Sequence, residues 1–569
     1  MALSGGEILL ELFQSNGIKY IFCSPGTEWI PVWEGLARRH AQNEKTLKYI
    51  NCRHESLAVA TAMGYARATG HLPAILLHAN VGSLHGAMAI RAAYLTQAPM
   101  IICNVDCSHY SEYADNKGPG WWWLSQLSDV GRPDALVRPY VKWSNAVTSK
   151  ETLLDSVCRG CQIAQAAPQG PVSLTIPRGL LFESLPEIRI AQTPPATVLP
   201  KPRASDSEEV AKQLAESKQP IIITERAGKK PETVGKLVEL AELLNSPVFE
   251  CIDPTFANFP TNHPLHMGYD ASEALQEADT VFVIGSTTPW YPPSAFPQHD
   301  AKVILLDEDP LKEQLPYWGY RIDSVLTGDI GQWLSTLVDT IRTRIKEPTR
   351  PGSRYRRTFE QWRAKHEQLE EQWKAEAFAR QKNKPISPQW FFYMANKVLP
   401  SDAIILEETI NHRPFIFRYL TKPEGYFGVS AGGLGIGLGM TAGVKLAHED
   451  RPVIFLVGDG SFNYNPVVAG LGLCQEHHLP ILIIVLDNGG YISMGDSHRE
   501  CYPEGWSVSN NTYFGVAITP RPNYAMIAEA FGAYGEQVEE PDDIEPALNR
   551  ALQQIAQGRA ALLDVILDS

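Results

Sequence analysis

The chain has 569 residues, enough for three or four domains of about 150 residues each. Its 44% hydrophobic and 20% charged residues are typical of a soluble globular protein, and its net charge of −14 argues against a nucleic-acid-binding surface. No apolar run approaches the roughly 18 residues of a membrane span, and the first residues lack the basic segment of a secretory signal. We therefore expect a cytoplasmic protein without a membrane partner.

Polar residues that could serve a site occur in three early segments: 24–28, 53–67 and 77–83. The second segment is rich in small residues and predicts a helix, where Glu55 alone is most simply an acid favoured by the helix dipole. A lone histidine at a strand end, such as His78, is more often structural. Three adjacent tryptophans at 121–123 predict either a substrate cap or a contact with another subunit.

Two changes in composition divide the chain. The stretch 193–202 is rich in proline and reads as an extended linker, and 348–384 is rich in arginine and glutamate and predicts an exposed helix. Between them, strand-like apolar runs alternate with helical segments, which favours a doubly wound α/β domain. We predict a first domain at 1–190, a central domain at 191–347, a helical linker at 348–386 and a third domain at 387–569.

The nine cysteines are an odd number and lie mostly in apolar stretches, which favours reduced thiols over a disulfide framework. Cys158 and Cys161 form a C-x-x-C pair in a helical-looking segment. No second cysteine pair completes a zinc site, so core packing is the better interpretation.

The most informative motif is Gly-Asp-Gly-Ser at 458–461, which follows the apolar run 452–457. Such a run is typical of a strand buried on both faces of a parallel sheet, so Asp459 should stand at its carboxyl end, where open α/β sheets bind ligands. A second apolar run, 479–486, would deliver Asn488 to the same edge. Gly-Asp-Gly alone is more often an ordinary turn, but two oxygen ligands one crossover apart predict a Mg²⁺ site that holds a diphosphate.

Together these motifs resemble those of thiamine diphosphate (ThDP)-dependent enzymes, in which Gly-Asp-Gly is followed one crossover helix later by a pair of asparagines. Here Asp487 stands at the first asparagine position, and the second is kept as Asn488. The resemblance covers essentially the whole chain and implies three doubly wound parallel-sheet α/β domains: pyrimidine-binding, central and diphosphate-binding. It implies that Mg²⁺ is bound by Asp459, Asn488 and the carbonyl of Gly490.

The same resemblance implies how the cofactor is held. Glu55 matches the family's catalytic glutamate, which hydrogen-bonds N1′ of the aminopyrimidine and so promotes formation of the C2 ylid. A carboxyl group in a water-poor site can donate a proton because burial raises its pKa. Leu434 matches the apolar residue that props the cofactor into its V shape. The other implied cofactor contacts are Pro25, Gly26, Asn411, Gly432, Gly458, Gly460, Ser461 and Tyr491.

The resemblance is to the branch of the family that includes acetolactate synthase and 2-oxo-acid decarboxylases, and within it the sequence most resembles benzoylformate decarboxylase. That likeness implies that Thr27 contacts the substrate carboxylate and that His78 relays protons. Pro292 stands where benzoylformate decarboxylase has its second active-site histidine. This difference favours slow protonation of the enamine and its transfer to a second carbonyl compound.

Three functions follow as hypotheses. The first is ThDP- and Mg²⁺-dependent decarboxylation of a 2-oxo acid through a C2 ylid and an enamine, and the second is carboligation of acyloin or acetolactate synthase type. The third is a non-catalytic partner with the ThDP fold, against which the intact Glu55, Asp459 and Asn488 argue. The resemblance also implies self-association as a dimer or tetramer with active sites at the subunit interface, so that Glu55 and Asp459 of one chain would serve different cofactors.

Overall fold

The computed structural model describes residues 3–44, 46–107, 127–185, 197–251, 253–291, 295–316, 318–344, 354–429 and 433–568. The tryptophans at 121–123, Pro292 and Gly432 lie outside the described residues. Three parallel sheets of six, five and six strands succeed one another along the chain, which confirms the predicted α/β fold class.

The first sheet has the strand order β3-β2-β4-β5-β7-β6, and a short antiparallel pair joins β1 to β8. Its strands are β1 (Leu3–Ser4), β2 (Tyr20–Cys23), β3 (Lys48–Asn51), β4 (Ala74–Leu77), β5 (Met100–Asp106), β6 (Trp143–Ala146), β7 (Pro171–Pro177) and β8 (Ser184–Leu185). The helices in this part are α1 (Gly5–Ser15), α2 (Ile30–Ala41), α3 (Glu55–Thr69), α4 (Ala79–Leu95), α5 (Pro133–Val137), α6 (Lys150–Gln165) and α7 (Arg178–Phe182).

The central sheet has the order β10-β9-β11-β12-β13. Its strands are β9 (Pro220–Thr224), β10 (Val248–Glu250), β11 (Thr280–Ile284), β12 (Lys302–Asp307) and β13 (Ser324–Thr327). The helices are α8 (Ala204–Glu216), α9 (Pro231–Leu244), α10 (Ser272–Glu277) and α11 (Ile330–Arg344), followed by the long charged helix α12 (Arg354–Ala379). Trp362 of α12 packs on the central cores and Trp373 on the third core, so this helix bridges the two sheets.

The third sheet has the order β15-β14-β16-β17-β19-β18. Its strands are β14 (Ile404–Glu408), β15 (Gly425–Gly428), β16 (Val453–Gly458), β17 (Leu482–Asp487), β18 (Tyr534–Val538) and β19 (Ala561–Ile566). Its helices are α13 (Pro388–Val398), α14 (Arg413–Tyr419), α15 (Gly437–Ala447), α16 (Asp459–Tyr464), α17 (Val467–Glu476), α18 (Ile492–Cys501), α19 (Trp506–Ser509), α20 (Ala525–Glu529) and α21 (Ile544–Ala556).

The strand orders fix where ligands can bind. In the first sheet the order reverses between β2 and β4, and in the third between β14 and β16. Crevices in open α/β sheets form beyond the carboxyl ends of the strands at such reversals. The loops that follow β2, β4, β14 and β16 are therefore the candidate site loops.

The first and third sheets share one hydrophobic core, in which α3 lies against α15. A Cβ atom on Gly64 would lie 2.1 Å from the Met440 carbonyl oxygen, and one on Gly443 would lie 2.0 Å from that of Thr61. A glycine on each helix thus allows the two helices to approach backbone to backbone. This contact places the start of α3 beside the third sheet's helices.

All nine cysteines are free, and seven are buried. Cys158 and Cys161 lie one turn apart on α6. Among the described helices, none combines the length and apolar character needed to cross a membrane.

Candidate active site

The motif Gly-Asp-Gly-Ser lies at the carboxyl end of β16, and α16 begins at Asp459. Asp459 is 2% exposed, and its Oδ1 accepts a hydrogen bond from the backbone N–H of Gly460 at 2.9 Å. A Cβ atom on Gly460 would lie 2.6 Å from the ring of Tyr491, so a glycine is needed beside this tyrosine. Because β17 pairs in parallel with β16, Asn488 lies beside Asp459 at the same edge.

Three oxygen-bearing groups converge here, from Asp459, Asn488 and Gly490. The terminal amide atom of Asn488 that faces the other two lies 3.2 Å from Asp459 Oδ1 and 3.0 Å from the Gly490 carbonyl oxygen. If that atom is nitrogen, the amide donates hydrogen bonds to both neighbours. If it is oxygen, three oxygens meet, and a cation is needed to hold them together.

Unpaired buried carboxylate oxygens surround this point. Asp459 Oδ2, Asp487 Oδ2 and Asp564 Oδ1 have no hydrogen-bond partner among the described residues. Burial, reinforced by the neighbouring Asp487, raises the pKa of Asp459, and burial also raises the pKa of Asp487. The guanidinium of Arg521, 3.5 Å from Asp487 Oδ1, offsets part of this charge. The donor set fits a small hard cation such as Mg²⁺.

A cavity of about 530 Å³ opens beside Asn488. Asn411, Arg380 and Arg499 also line it, and Asn411 Nδ2 donates to Asp496 Oδ2 at 3.3 Å. The carboxylates of Asp496 and Asp568 also line this cavity, so its amide and guanidinium donors would suit an anionic diphosphate once a divalent cation offsets those charges. The described residues that line this cavity fall between 380 and 568, so the first domain of the same chain adds none of them.

The loop that carries Leu434 is held by a buried carboxylate that the sequence reasoning missed. Glu408, at the end of β14, accepts hydrogen bonds from the backbone N–H groups of residues 435, 436 and 437 at 2.6, 3.1 and 3.2 Å. It also accepts one from Asn465 Nδ2 at 2.7 Å, and the same nitrogen donates to the Ser461 carbonyl at 2.9 Å. The Glu408–Asn465 pair therefore ties the Leu434 loop to the Asp459 motif.

We expect Glu408→Ala to lower the thermal midpoint of the cofactor-free protein and to speed hydrogen exchange at the amides of residues 435–437. The substitution leaves buried donors unpaired, at about 1 to 3 kcal/mol each. Differential scanning calorimetry and exchange mass spectrometry measure the two effects. The exposed Glu424→Ala is the matched control, and unchanged exchange at 435–437 in Glu408→Ala would contradict the assignment.

The remaining predicted cofactor contacts of the third domain lie around the same two loops. Gly458 is the N-cap residue of α16, and Ser461 is 7% exposed. Leu434 is half-buried, and a Cβ atom on the adjacent Gly433 would lie 2.2 Å from Met88 Cε of α4. The Leu434 loop thus contacts the first domain of its own chain.

Glu55 is the first residue of α3, two residues later than the predicted start of the helical stretch. The reason is that Arg53 has a φ of +60°, which is left-handed, and His54 caps the helix by accepting a hydrogen bond from the Ser56 N–H at 3.2 Å. Arg53 also pairs with Glu476 of α17 at 2.6 Å, which anchors the start of α3 to the third domain. The Glu55 side chain is 14% exposed.

A second buried acid lies at the strand reversal of the first sheet. Glu28 is 2% exposed, and its Oε1 lies 2.6 Å from His78 Nδ1 and accepts the N–H of Ala79 at 3.0 Å. This hydrogen bond raises the pKa of His78. A Cβ atom on Gly26 would lie 2.5 Å from His78 Nδ1, so the glycine makes room for the pair.

The other predicted residues of this loop lie nearby. Thr27 is half-buried and opens a short 3₁₀ turn, and Pro25 is exposed. The sequence reasoning stopped at Thr27 and missed Glu28, although an acid between a glycine-containing loop and an apolar stretch was the available signal.

Family comparisons agree with this geometry. Three models match, described as the thiamine pyrophosphate enzyme N-terminal TPP binding domain at residues 3–120, the central domain at 207–337 and the C-terminal TPP binding domain at 411–565. Together they span most of the chain, in the order of the three sheets.

Individual relatives are distant but match along the full length. The acetolactate synthase isozyme 3 large subunit of Escherichia coli (strain K12) is 24% identical, covering 100% of this chain and 95% of its own. Benzoylformate decarboxylase of Pseudomonas aeruginosa is 24% identical, covering 98% of this chain and 97% of its own. These two relatives carry different activities.

Solved structures show the same fold. The ThDP-dependent 4-hydroxybenzoylformate decarboxylase of Rhodococcus jostii superposes with a TM-score of 0.80 at 22% identity, covering 99% of both chains. Benzoylformate decarboxylase of Polynucleobacter necessarius gives 0.79 at 21% identity, covering 100% of this chain and 99% of its own. With the three family models in chain order and a site that fits the group, the chain belongs to the thiamine diphosphate-dependent enzyme family, and thiamine diphosphate is its cofactor.

Proposed function

We propose that the protein decarboxylates a 2-oxo acid, using ThDP and Mg²⁺, and releases an aldehyde. The observation that carries this proposal is the Glu28–His78 pair at 2.6 Å, because the carboxylate favours a protonated histidine. A partly exposed histidine whose pKa is raised in this way can protonate the reacting carbon before product release.

The proposed site residues lie at the carboxyl edges of two sheets, the third and the first. Asp459, Asn488 and the Gly490 carbonyl would hold Mg²⁺, and the cavity lined by Asn411 would take the diphosphate. Bound thiamine diphosphate supplies a nucleophilic carbon and an electron sink, which is chemistry that no protein side chain offers. Glu55 would exchange a proton with the aminopyrimidine, Leu434 would support the ring, and Thr27 would contact the substrate carboxylate.

We also propose that two chains build each active site. The support is that the described lining of the diphosphate cavity comes from residues 380–568, whereas Glu55, Thr27 and His78 lie on the first domain. A second copy would bring its first domain to this cavity. Sedimentation analysis tests this, and an active monomer would contradict it.

A carboligase is the second candidate, favoured by the sequence resemblance, which puts Pro292 where benzoylformate decarboxylase has its second active-site histidine. With fewer proton donors, the activated acyl group would survive long enough to meet a second carbonyl compound. The homology to acetolactate synthase is consistent with this alternative.

One assay separates the two candidates. Purified protein with ThDP and Mg²⁺ is given pyruvate, benzoylformate or phenylpyruvate, and CO₂, aldehyde and acyloin are measured together. Stoichiometric aldehyde supports the decarboxylase, and acyloin in its place supports the carboligase. If cofactor binds but CO₂ forms from none of the three, the 2-oxo-acid proposal loses its basis.

The role of His78 makes a pH prediction. Since Glu28 raises the pKa of His78, His78 stays protonated to higher pH, and Glu28→Gln should move the alkaline limb of aldehyde formation to lower pH. His78→Ala should lower kcat by about 100-fold or more. The control is the exposed His71→Gln. An alkaline limb that does not move in Glu28→Gln would show that His78 is not the proton donor.

A further inference from the structure

Two histidines that neither the motif nor the proposed chemistry uses surround the Glu55 carboxylate. His85 Nδ1 lies 3.2 Å from Glu55 Oε2, and the His54 ring stacks on the His85 ring with centroids 5.5 Å apart and planes 8° apart. One ring nitrogen from each histidine and one carboxylate oxygen of Glu55 lie within 4.8 Å of one another. The cluster is formed by the start of α3 and one face of α4.

The geometry allows His85 to act as a donor to Glu55. In a neutral imidazole one nitrogen carries the proton, and Nδ1 must carry it to donate to a carboxylate oxygen. This contact is the one side-chain hydrogen bond to Glu55 recorded in the described parts of the chain. It engages Oε2 and leaves Oε1 for another partner.

His54 keeps this arrangement in place. Its Nδ1 already accepts the Ser56 N–H, which fixes the ring at the helix start. Burial lowers the pKa of His54, which favours the neutral form of its ring. A planar neutral ring stacked on His85 limits the rotation of a side chain that is 67% exposed in the single chain.

The Glu55 side chain lies against the facing helix α4. A Cβ atom on Gly82 would lie 3.4 Å from Glu55 Cγ, and Gly82 and His85 are one turn apart on the same face of α4. The aliphatic part of Glu55 thus runs along the face of α4 that carries His85, and its carboxylate meets the imidazole.

We propose that His85 is a positioning residue for Glu55. Its Nδ1–H holds Oε2 so that Oε1 remains for the ring nitrogen of the cofactor's pyrimidine. This proposal rests on the proposed role of Glu55. A proton moves efficiently only between groups held within hydrogen-bond reach, and a small displacement of one of them can lower the rate by up to about 100-fold.

The test compares His85→Leu, which removes the donor, with His85→Asn, whose amide N–H can take the place of Nδ1–H. The full-length protein is loaded with ThDP and Mg²⁺, and exchange of the cofactor's C2 proton for deuterium is timed by NMR. Circular dichroism of the bound cofactor reports the protonation state of the pyrimidine, and titration gives the cofactor Kd. Glu55→Gln is measured beside them.

We expect His85→Leu to slow C2 exchange about 10- to 100-fold and to weaken the dichroism signal, with the cofactor Kd and the substrate KM within about threefold of wild type. His85→Asn should restore most of the exchange rate. Wild-type exchange in His85→Leu, or equal loss in both variants, would overturn the positioning role. Wild-type exchange in Glu55→Gln would instead overturn the proposed function. Because His85 is mostly exposed, failure of His85→Leu to fold would also contradict the proposal, and the melting temperature of the cofactor-free protein measures this.

Discussion

Replacing Asp459 with asparagine is expected to abolish Mg²⁺-dependent binding of ThDP without unfolding the protein. Asparagine keeps the size of the side chain and one oxygen but removes the charge that a hard divalent cation requires. Loss of a residue outside the ligand shell of a metal costs about 10- to 100-fold in affinity, so loss of a ligand should cost more than about 100-fold. The cofactor Kd from titration calorimetry checks this.

In the protein without cofactor, the same substitution should raise the free energy of unfolding at neutral pH. The folded-state pKa of Asp459 is raised, so the folded protein binds this proton more tightly than the unfolded chain does. The free energy of unfolding therefore falls as the pH rises through the interval between the two pKa values, and at neutral pH the ionised carboxylate is destabilising. In EDTA, Asp459→Asn should melt above wild type at neutral pH.

With ThDP and Mg²⁺ bound, wild type should melt at a higher temperature than Asp459→Asn. A ligand at 100 times its Kd stabilises the folded state by about 2.7 kcal/mol, which wild type gains and the variant does not. The exposed Asp450→Asn, in the same domain, should follow wild type under both conditions. A cofactor-induced rise in melting temperature that survives in Asp459→Asn would place the metal elsewhere.

The two edges of the site differ in how far the sequence predicts them. Asp459 and Asn488 follow continuous apolar runs, and the run lengths place both at the ends of neighbouring strands. The Glu28–His78 pair joins residues 50 positions apart through loops after two different strands, so the local sequence can mark Glu28 as an unusual acid but does not reveal its pairing with His78. Its geometry depends on the parallel pairing of β2 with β4.

The residues that support Leu434 and Glu55 were hidden in the sequence for a related reason. Glu408 sits in a strand whose residues are all buried, where an acid signals a special role, but its three backbone partners lie 27 to 29 residues away and Asn465 lies 57 residues away. His85 lies on a helix with apolar neighbours, and its role follows only from its contact with Glu55 on another helix. Contacts of this kind come from packing between elements and leave no periodic pattern in the chain.

Glu55→Gln should separate cofactor binding from cofactor activation. Glutamine preserves the side-chain length and can still hydrogen-bond, but it cannot exchange a proton with the pyrimidine ring. We expect kcat and the rate of C2 proton exchange to fall by about 100-fold or more, with the cofactor Kd within a few-fold of wild type. Quenched exchange followed by NMR gives the rate of C2 proton exchange, and tryptophan fluorescence titration gives the cofactor Kd.

The matched control is Glu34→Gln, on the exposed face of α2 in the same domain. It removes the same charge from the same domain and should leave both quantities unchanged, so a loss specific to Glu55 reflects proton transfer. If Glu55→Gln instead lost cofactor affinity and kept its exchange rate when saturated, Glu55 would be a binding residue.

Mixing the two inactive variants, Glu55→Gln and Asp459→Asn, tests whether two chains share a site, because Glu55 belongs to the first domain and Asp459 to the third. If chains exchange and each site draws on two of them, one site in a mixed dimer regains both Glu55 and Asp459, and activity returns to part of the wild-type level. A mixture that stays inactive despite proven chain exchange would mean that each chain completes its own site.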